Sequence, residues 1–285
     1  MTSSRALLAM PLAAVLALVV AAPALATFPG SNGRLAYTDQ TGTSAIETVA
    51  SDGSDADGSE AQTLTSGTPA QDPSWSPDGT KIVYVSDDDI WIMDADGSDQ
   101  TELLDAAAAL RAPAFSSDGR RIAFVDESEA RIYVMDADGS DPMPVTARFA
   151  KASAPDWSPD GARIAFAGSE TEVGDDALWT IGADGLDAEK VATLPGGVSA
   201  PTWAPAGDRI AFSGDPAGGS DRRVYVVAAG GGEPEEVAAD LAAPAWSPDG
   251  TLIAGIDGDG DIVAVTPAGG ERAPVVEDDK SRGGG

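Results

Sequence analysis

The sequence predicts an all-β fold, a propeller of four-stranded antiparallel blades preceded by a signal peptide. Three observations predict it. The stretch Trp75-Ser76-Pro77-Asp78-Gly79 returns in close variants at a nearly fixed interval, each interval divides into four short apolar runs separated by turn residues, and the chain starts with an apolar leader that ends on small residues.

The leader comes first. Within residues 1–26, Arg5 supplies a short positive region, Leu7 to Val20 an apolar stretch, and Ala24-Leu25-Ala26 a cleavage site of the A-x-A kind. The mature chain is expected to begin near Thr27 and to work outside the cytoplasm, in the cell envelope or secreted. The competing reading is a retained anchor, because Ala6 to Ala22 is almost wholly apolar. That stretch is short for a span of about 20 residues and contains Pro11. No cysteine follows it, so lipid attachment at a cysteine is excluded.

The repeats follow. Their opening aromatic falls at Trp75, Phe115, Trp157, Trp203 and Trp246, with spacings of 40, 42, 46 and 43. A degenerate leading copy, Phe28-Pro29-Gly30-Ser31-Asn32-Gly33, lies 47 residues before Trp75. Six units result, at about 28–72, 73–112, 113–154, 155–200, 201–243 and 244–277. The propeller therefore takes 27–277, and 278–285 is expected to be a flexible tail.

Within a unit, the first strand carries a Pro-x-aromatic stretch such as Pro73-Ser74-Trp75 or Pro155-Asp156-Trp157. In the Ser-Pro-Asp-Gly turn that follows, Pro presets φ and Gly accepts a positive φ. The second strand reads Ile82-Val83-Tyr84, Ile122-Ala123-Phe124, Ile164-Ala165-Phe166 or Ile210-Ala211-Phe212. This large, small, large alternation predicts a strand with one packed face. The third strand, as in Ile90-Trp91-Ile92-Met93 and Ile132-Tyr133-Val134-Met135, ends in a polar turn such as Asp94-Ala95-Asp96-Gly97. A short fourth strand such as Glu102-Leu103-Leu104 or Lys190-Val191-Ala192 closes the unit. Four strands in about 40 to 45 residues is the size of a propeller blade.

The run P-x-W-S-P-D-G-x-x-I-A-F followed by I-Y-V-M-D-A-D-G-S resembles the TolB-type propeller repeat, a WD-like repeat, over roughly Phe28 to Val276. The resemblance implies a six-bladed propeller and envelope-associated binding. The chain departs from the pattern at Ser117, which replaces the turn Pro, and at Ala206, which replaces the turn Asp. Gly230-Gly231-Gly232 and Gly269-Gly270 stand where Asp-Ala-Asp-Gly is expected. The repeats begin directly after the leader, with no room for the separate amino-terminal domain of TolB, so that system's partners are not carried over. The last unit finishes with Pro274-Val275-Val276, and Phe28-Pro29 is left to form a stunted inner strand. Ring closure is therefore expected through packing of blade 6 on blade 1, without an exchanged strand.

Composition excludes several chemistries. The 285 residues are 42% hydrophobic, enough for one substantial core. Cysteine and histidine are both absent, which removes disulfides, thiolate sites and the commonest general base and metal ligand. A formal net charge of −30 argues against nucleic acid and anionic membrane surfaces as partners, and it keeps an exported monomer soluble. The blades of the prolyl oligopeptidase family cap a Ser-His-Asp site, but here there is no His and no Gly-x-Ser-x-Gly elbow. Propeller lyases that hold a metal through histidines fail on the same absence. No catalytic residue is assigned and the chain is not expected to be an enzyme. A carboxylate-based glycosidase or lyase stands third among the readings, since a pair of acids flanking a sugar bond would suffice.

The six tryptophans all fall at repeat positions and are expected between blades, where a large ring buries much apolar area. Asp257, Asp259 and Asp261 alternate as at the start of a calcium loop. No later acid sits at EF-hand spacing, and a Gly/Asp hairpin is expected there in any case. A structural turn is the expected reading and no cofactor is expected.

The binding surface is read from loop length. From second-strand to third-strand aromatic there are 7 residues in blade 2, 9 in blade 3 and 13 in both blade 4 and blade 5. Insertions in repeat proteins gather on one face, often the binding face. The loops Gly168 to Ala177 and Ser213 to Arg223 are thus the candidate surface, presenting Glu170, Glu172, Asp175, Asp176, Asp215, Asp221, Arg222 and Arg223, with Arg148 and Lys151 nearby. The expected function is that of a non-catalytic scaffold for another protein. The alternative is a module that binds a small molecule, peptide or glycan at the propeller channel.

Overall fold

The computed structural model describes residues 34–39, 43–50, 61–174, 176–217, 222–270 and 272–276, of which Ala50 and Val276 are described by backbone alone. The leader, the stretch Phe28-Pro29 and the tail lie outside the described residues. Six separate antiparallel sheets follow one another along the chain, each with its strands in sequence order.

Blade 1 shows three strands, Arg34–Asp39, Ala45–Ala50 and Gln62–Thr63. Blade 2 has four: Ala70–Trp75, Lys81–Ser86, Asp89–Asp94 and Thr101–Leu104. Blade 3 comprises Leu110–Phe115, Arg121–Asp126, Arg131–Asp136 and Met143–Pro144. Blade 4 comprises Lys151–Trp157, Arg163–Ser169, Ala177–Gly182 and Glu189–Ala192. Blade 5 runs Val198–Trp203, Arg209–Gly214, Arg223–Ala228 and Glu235–Ala239, and blade 6 runs Leu241–Trp246, Ile253–Asp257, Ile262–Val265 and Ala273–Val276.

The second strands overturn the expectation of a single packed face. Ile122, Ala123 and Phe124 are all buried, and so are Ile210, Ala211 and Phe212. Ile122 and Phe124 pack towards blade 2 with Val83 and Ile90, whereas Ala123 and Val125 pack towards blade 4 against Trp157. The alternation of large and small therefore separates two buried faces. A small residue on one face leaves room for the tryptophan of the next blade.

One apolar cluster lies at each blade contact, with Trp157 between blades 3 and 4, Trp203 between 4 and 5, and Trp246 between 5 and 6. Burying one such ring stabilises the contact by about 4–6 kcal/mol as an upper limit. The ring closes in the same way. Ala254, Ile262, Ala264 and Val275 of blade 6 pack with Leu35 and Val49 of blade 1, while Ala273–Val276 pairs within blade 6.

Every described first strand carries a β-bulge at its proline. The register shifts between Gln71 and Ser74, Arg111 and Ala114, Ser153 and Asp156, Ser199 and Thr202, and Ala242 and Ala245. Proline lacks the N–H that a ladder needs, so the strand bulges to leave it out. The residue before it, Asp72, Ala112, Ala154, Ala200 or Ala243, adopts a left-handed φ of 46° to 54°. Each costs on the order of 1 kcal/mol or more, less than one buried tryptophan returns.

Candidate functional site

The two rims of the ring differ in what their polar groups do. On one, here the turn rim, the Ser-Pro-Asp-Gly turns are joined to the turns between third and fourth strands by Ala95 N–H to Thr80 O, Ala137 to Arg120 and Ala183 to Ala162. Ser76 Oγ donates to Asp78 Oδ1 at 2.7 Å and accepts the Lys81 N–H at 2.9 Å. The same arrangement recurs at Ser116 and Asp118, Ser158 and Asp160, and Ser247 and Asp249. The serine hydroxyl, more than any other group, holds each of these four carboxyls below the usual carboxylate range. Gly97, Gly139, Gly185, Gly231 and Gly269 occupy one equivalent turn position at positive φ, against the outer strand of the preceding blade. The glycine runs of blades 5 and 6 thus replace the Asp-Ala-Asp-Gly turn without changing its role.

The opposite, loop rim holds the long second-to-third-strand loops and the blade links. The link into blade 5 ties both long loops together: Val198 N–H donates to Asp176 O at 3.1 Å and Gly196 N–H to Asp215 O at 3.0 Å. Of the predicted surface residues, two are taken up by ion pairs, one to the blade 3–4 link and one to the start of blade 4. Arg148 lies 3.5 Å from Glu170, and Lys151 lies 2.8 Å from Asp176. Arg223 pairs with Glu236 on the adjacent strand at 2.8 Å. Glu172 is exposed, and Asp175 and Asp221 lie outside the described residues.

Asp215 and Arg222 come together at a cleft of about 540 Å³ between blades 5 and 6, whose walls include Gly197, Ser199, Ser213 and Ala243. Asp215 Oδ1 accepts the Ala217 N–H at 2.8 Å, while its buried Oδ2 has no partner among the described residues. Ser213 Oγ accepts the N–H of the bulge residue Ala243 at 2.8 Å, which joins the two blades at the cleft. Gly214 in the cleft wall lets Leu194 pack close behind it, since a Cβ there would meet Leu194 Cδ1 at 2.3 Å. An unpaired carboxylate oxygen, an exposed guanidinium and a hydroxyl suit recognition of a polar group carrying charge. The loop-length argument reached Asp215 and Arg222, with Ser213 only as the first residue of the loop, and missed Ser199 and Ala243. Their signal was the proline in every first strand, which marks a bulge.

Two carboxyls of the first strands also stand out. Asp72 Oδ2 accepts the Ala112 N–H of blade 3 at 2.9 Å, and Asp156 Oδ2 accepts the Trp203 N–H of blade 5 at 2.6 Å. Burial raises both, Asp156 to about 7, against the pull of these N–H groups. Each is thus engaged in holding one blade to the next.

At the calcium candidate, Asp257 Oδ1 accepts the N–H groups of Asp259 and Asp261 at 3.0 and 3.1 Å, an Asx-type turn between the second and third strands. Among the described residues no three acids converge in a metal-binding group. No helix among them is long and apolar enough to cross a membrane.

A six-sheet ring with this repeat is what a family comparison recovers. The model described as the TolB beta propeller domain matches residues 86–273, well over half of the chain. The chain belongs to the TolB beta propeller family. A second model, the N-terminal region of dipeptidyl peptidase IV, matches residues 31–107 of this TolB-type propeller. No curated protein matches it significantly. Among solved structures, TolB from Acinetobacter baumannii is 21% identical, with a TM-score of 0.71 over 88% of this chain and 68% of that one. A putative TolB from Agrobacterium tumefaciens is 18% identical, with a TM-score of 0.68 over 76% and 84%. Oligogalacturonate lyase from Vibrio parahaemolyticus is 16% identical, with a TM-score of 0.61 over 92% and 80%. At these identities the likeness is one of fold.

Proposed function

We propose that the chain is an exported, non-catalytic TolB-type propeller that serves as a protein-interaction scaffold in the cell envelope or outside the cell. It engages its partner with the loop rim of blades 5 and 6. The observation that carries this reading is the cleft where Asp215 Oδ2 has no partner among the described residues and Arg222 is exposed, on the rim with the long second-to-third-strand loops of blades 4 and 5. On the turn rim, by contrast, the recurring Ser and Asp groups hold one another. A non-catalytic role is supported by the lack of His and Cys, and by the engagement of Asp72 and Asp156 in backbone contacts between blades.

Affinity capture from the producing organism tests the reading. Wild type is expected to retain a protein that the double charge reversal Asp215→Lys with Arg222→Glu loses, while circular dichroism of the variant stays that of a folded ring. Equal capture by both proteins refutes the assignment. The size of the cleft also favours a second reading, a module for a small molecule or glycan. Under that reading a small-molecule library raises the melting temperature of wild type and not of the variant.

A further inference from the structure

On the loop rim, the residue just before each third strand touches the next blade. Its carbonyl accepts a first-strand N–H: Asp88 from Leu110 at 2.8 Å, Ala130 from Ala152 at 2.8 Å, Asp176 from Val198 at 3.1 Å and Arg222 from Leu241 at 3.3 Å. The two acids at this position are each met by a cation. Arg111, the residue after Leu110, lies 2.7 Å from Asp88, and Lys151 lies 2.8 Å from Asp176. Of the four, Arg222 is the one cation, and the residue after Leu241, where blade 3 has Arg111, is Ala242. Arg222 is exposed and makes no ion pair with a described residue.

The facing side of this contact is equally bare. In blade 2 the bulge residue is Asp72, whose carboxylate crosses to the Ala112 N–H of blade 3 at 2.9 Å. Blade 5 has Ala200 at that position, at a φ of 46° against 54° for Asp72, and Ser213 Oγ serves the Ala243 N–H instead. Asp72 and Arg111, the two side chains that bridge blades 2 and 3, are therefore both alanine between blades 5 and 6. The cleft of about 540 Å³ lies there, walled by Gly197, Ala200, Ala242 and Ala243 together with Ser199, Asp215 and Arg222. None of its described lining residues is aromatic, which leaves no ring on which a sugar or a base could stack.

We propose that this cleft binds an α-carboxylate together with the nitrogen on the adjacent carbon, the group shared by a free amino acid and the carboxyl end of a polypeptide. Arg222 takes the carboxylate, whose two oxygens match the planar fork of a guanidinium. The nitrogen faces Asp215, whose Oδ2 has no donor among the described residues. Asp215 also makes the site selective. Beside it, and in a chain of net charge −30, a bare carboxylate is repelled, whereas one with an N–H or an ammonium next to it brings its own compensating donor. Walls of glycine and alanine let main-chain atoms approach closely. The inference rests on the same cleft as the scaffold reading and names the group that the cleft recognises.

The test is calorimetric titration of the full chain with four probes: alanine, N-acetylalanine, N-acetylalanine amide and propionate. Saturable binding of alanine or N-acetylalanine is expected. Tighter binding of alanine points to a free amino acid, and binding of N-acetylalanine at least as tight points to a chain end; both outcomes support the site. The amide lacks the carboxylate and propionate lacks the nitrogen, so each should bind about tenfold more weakly. Either of them binding as tightly as the better amino-acid probe, or no saturation at millimolar concentrations, overturns the proposal. Arg222→Gln changes an exposed side chain and should weaken binding about tenfold with the melting temperature unchanged. Asp215→Asn puts a donor where the carboxylate oxygen stood, so propionate should bind it as well as N-acetylalanine does, an effect that a purely structural role would not produce. Undiminished binding by the first variant, or an unchanged preference in the second, also overturns it. If no probe binds while the charge-reversed protein still loses its captured partner, this inference falls and the scaffold reading stands; probe binding without any captured protein gives the reverse result.

Discussion

Asp156 offers a direct test of how the blades are joined. Its carboxyl is partly buried on the first strand of blade 4 and reaches across to the Trp203 N–H of blade 5 at 2.6 Å. Burial raises it from its ordinary 3.8 to about 7. In the unfolded chain it loses its proton near pH 4, whereas in the folded ring it keeps the proton until about pH 7. Stability therefore falls as pH rises from about 4 to 7, and the full penalty holds above 7. The span between the two values corresponds to about 4 kcal/mol at most, and water reaching the partly exposed group reduces it to about 2–4 kcal/mol. Asp156→Asn removes the charge but keeps an oxygen for the Trp203 N–H. Thermal melts of both proteins should coincide at pH 4 and separate at pH 8, with the variant melting higher by about 5–15 °C. Repulsion within a chain of net charge −30 also lowers stability as pH rises, but it acts on both proteins, so their difference isolates Asp156. A variant no more stable than wild type at pH 8, or a gap as large at pH 4, refutes the reasoning.

Glycines of the turn rim separate two costs. Gly79→Ala, at a φ of 68° with open space around it, should lose about 1 kcal/mol from the left-handed backbone alone. Gly139→Ala places a Cβ 2.3 Å from Leu103 O of blade 2 and should lose about 2–4 kcal/mol, read by chemical denaturation. Equal losses would show that this turn does not set the blade spacing. Since Asp257 Oδ1 already serves the N–H groups of Asp259 and Asp261, millimolar calcium should give no binding heat and no rise in melting temperature. A saturable heat abolished by Asp259→Asn would establish a site there instead.

Much of the architecture was legible because it is written in local chemistry. The interval between tryptophans gave the blade count, Pro and Gly the turns, and alternating large and small residues the second strands. The Trp positions foretold the blade contacts, and 13-residue loops pointed to the rim where Asp215 and Arg222 meet. Other features were not legible. The large and small alternation of Ile122, Ala123 and Phe124 reads the same for one packed face as for two. Glu170 and Asp176 looked as available as Asp215, yet Arg148 and Lys151, about 20 residues earlier, neutralise them.

By itself, then, the sequence determined the repeat, the strands and the absence of histidine and cysteine chemistry, because these depend on residues within a few positions of one another. Only the tertiary structure decided which polar groups stay unpaired. That depends on partners one blade away: Trp203 for Asp156 and Ala243 for Ser213. Ring closure brings those residues together, and their side chains then compete for the same few donors and acceptors. Asp215 Oδ2 is one of the groups that this competition leaves over among the described residues.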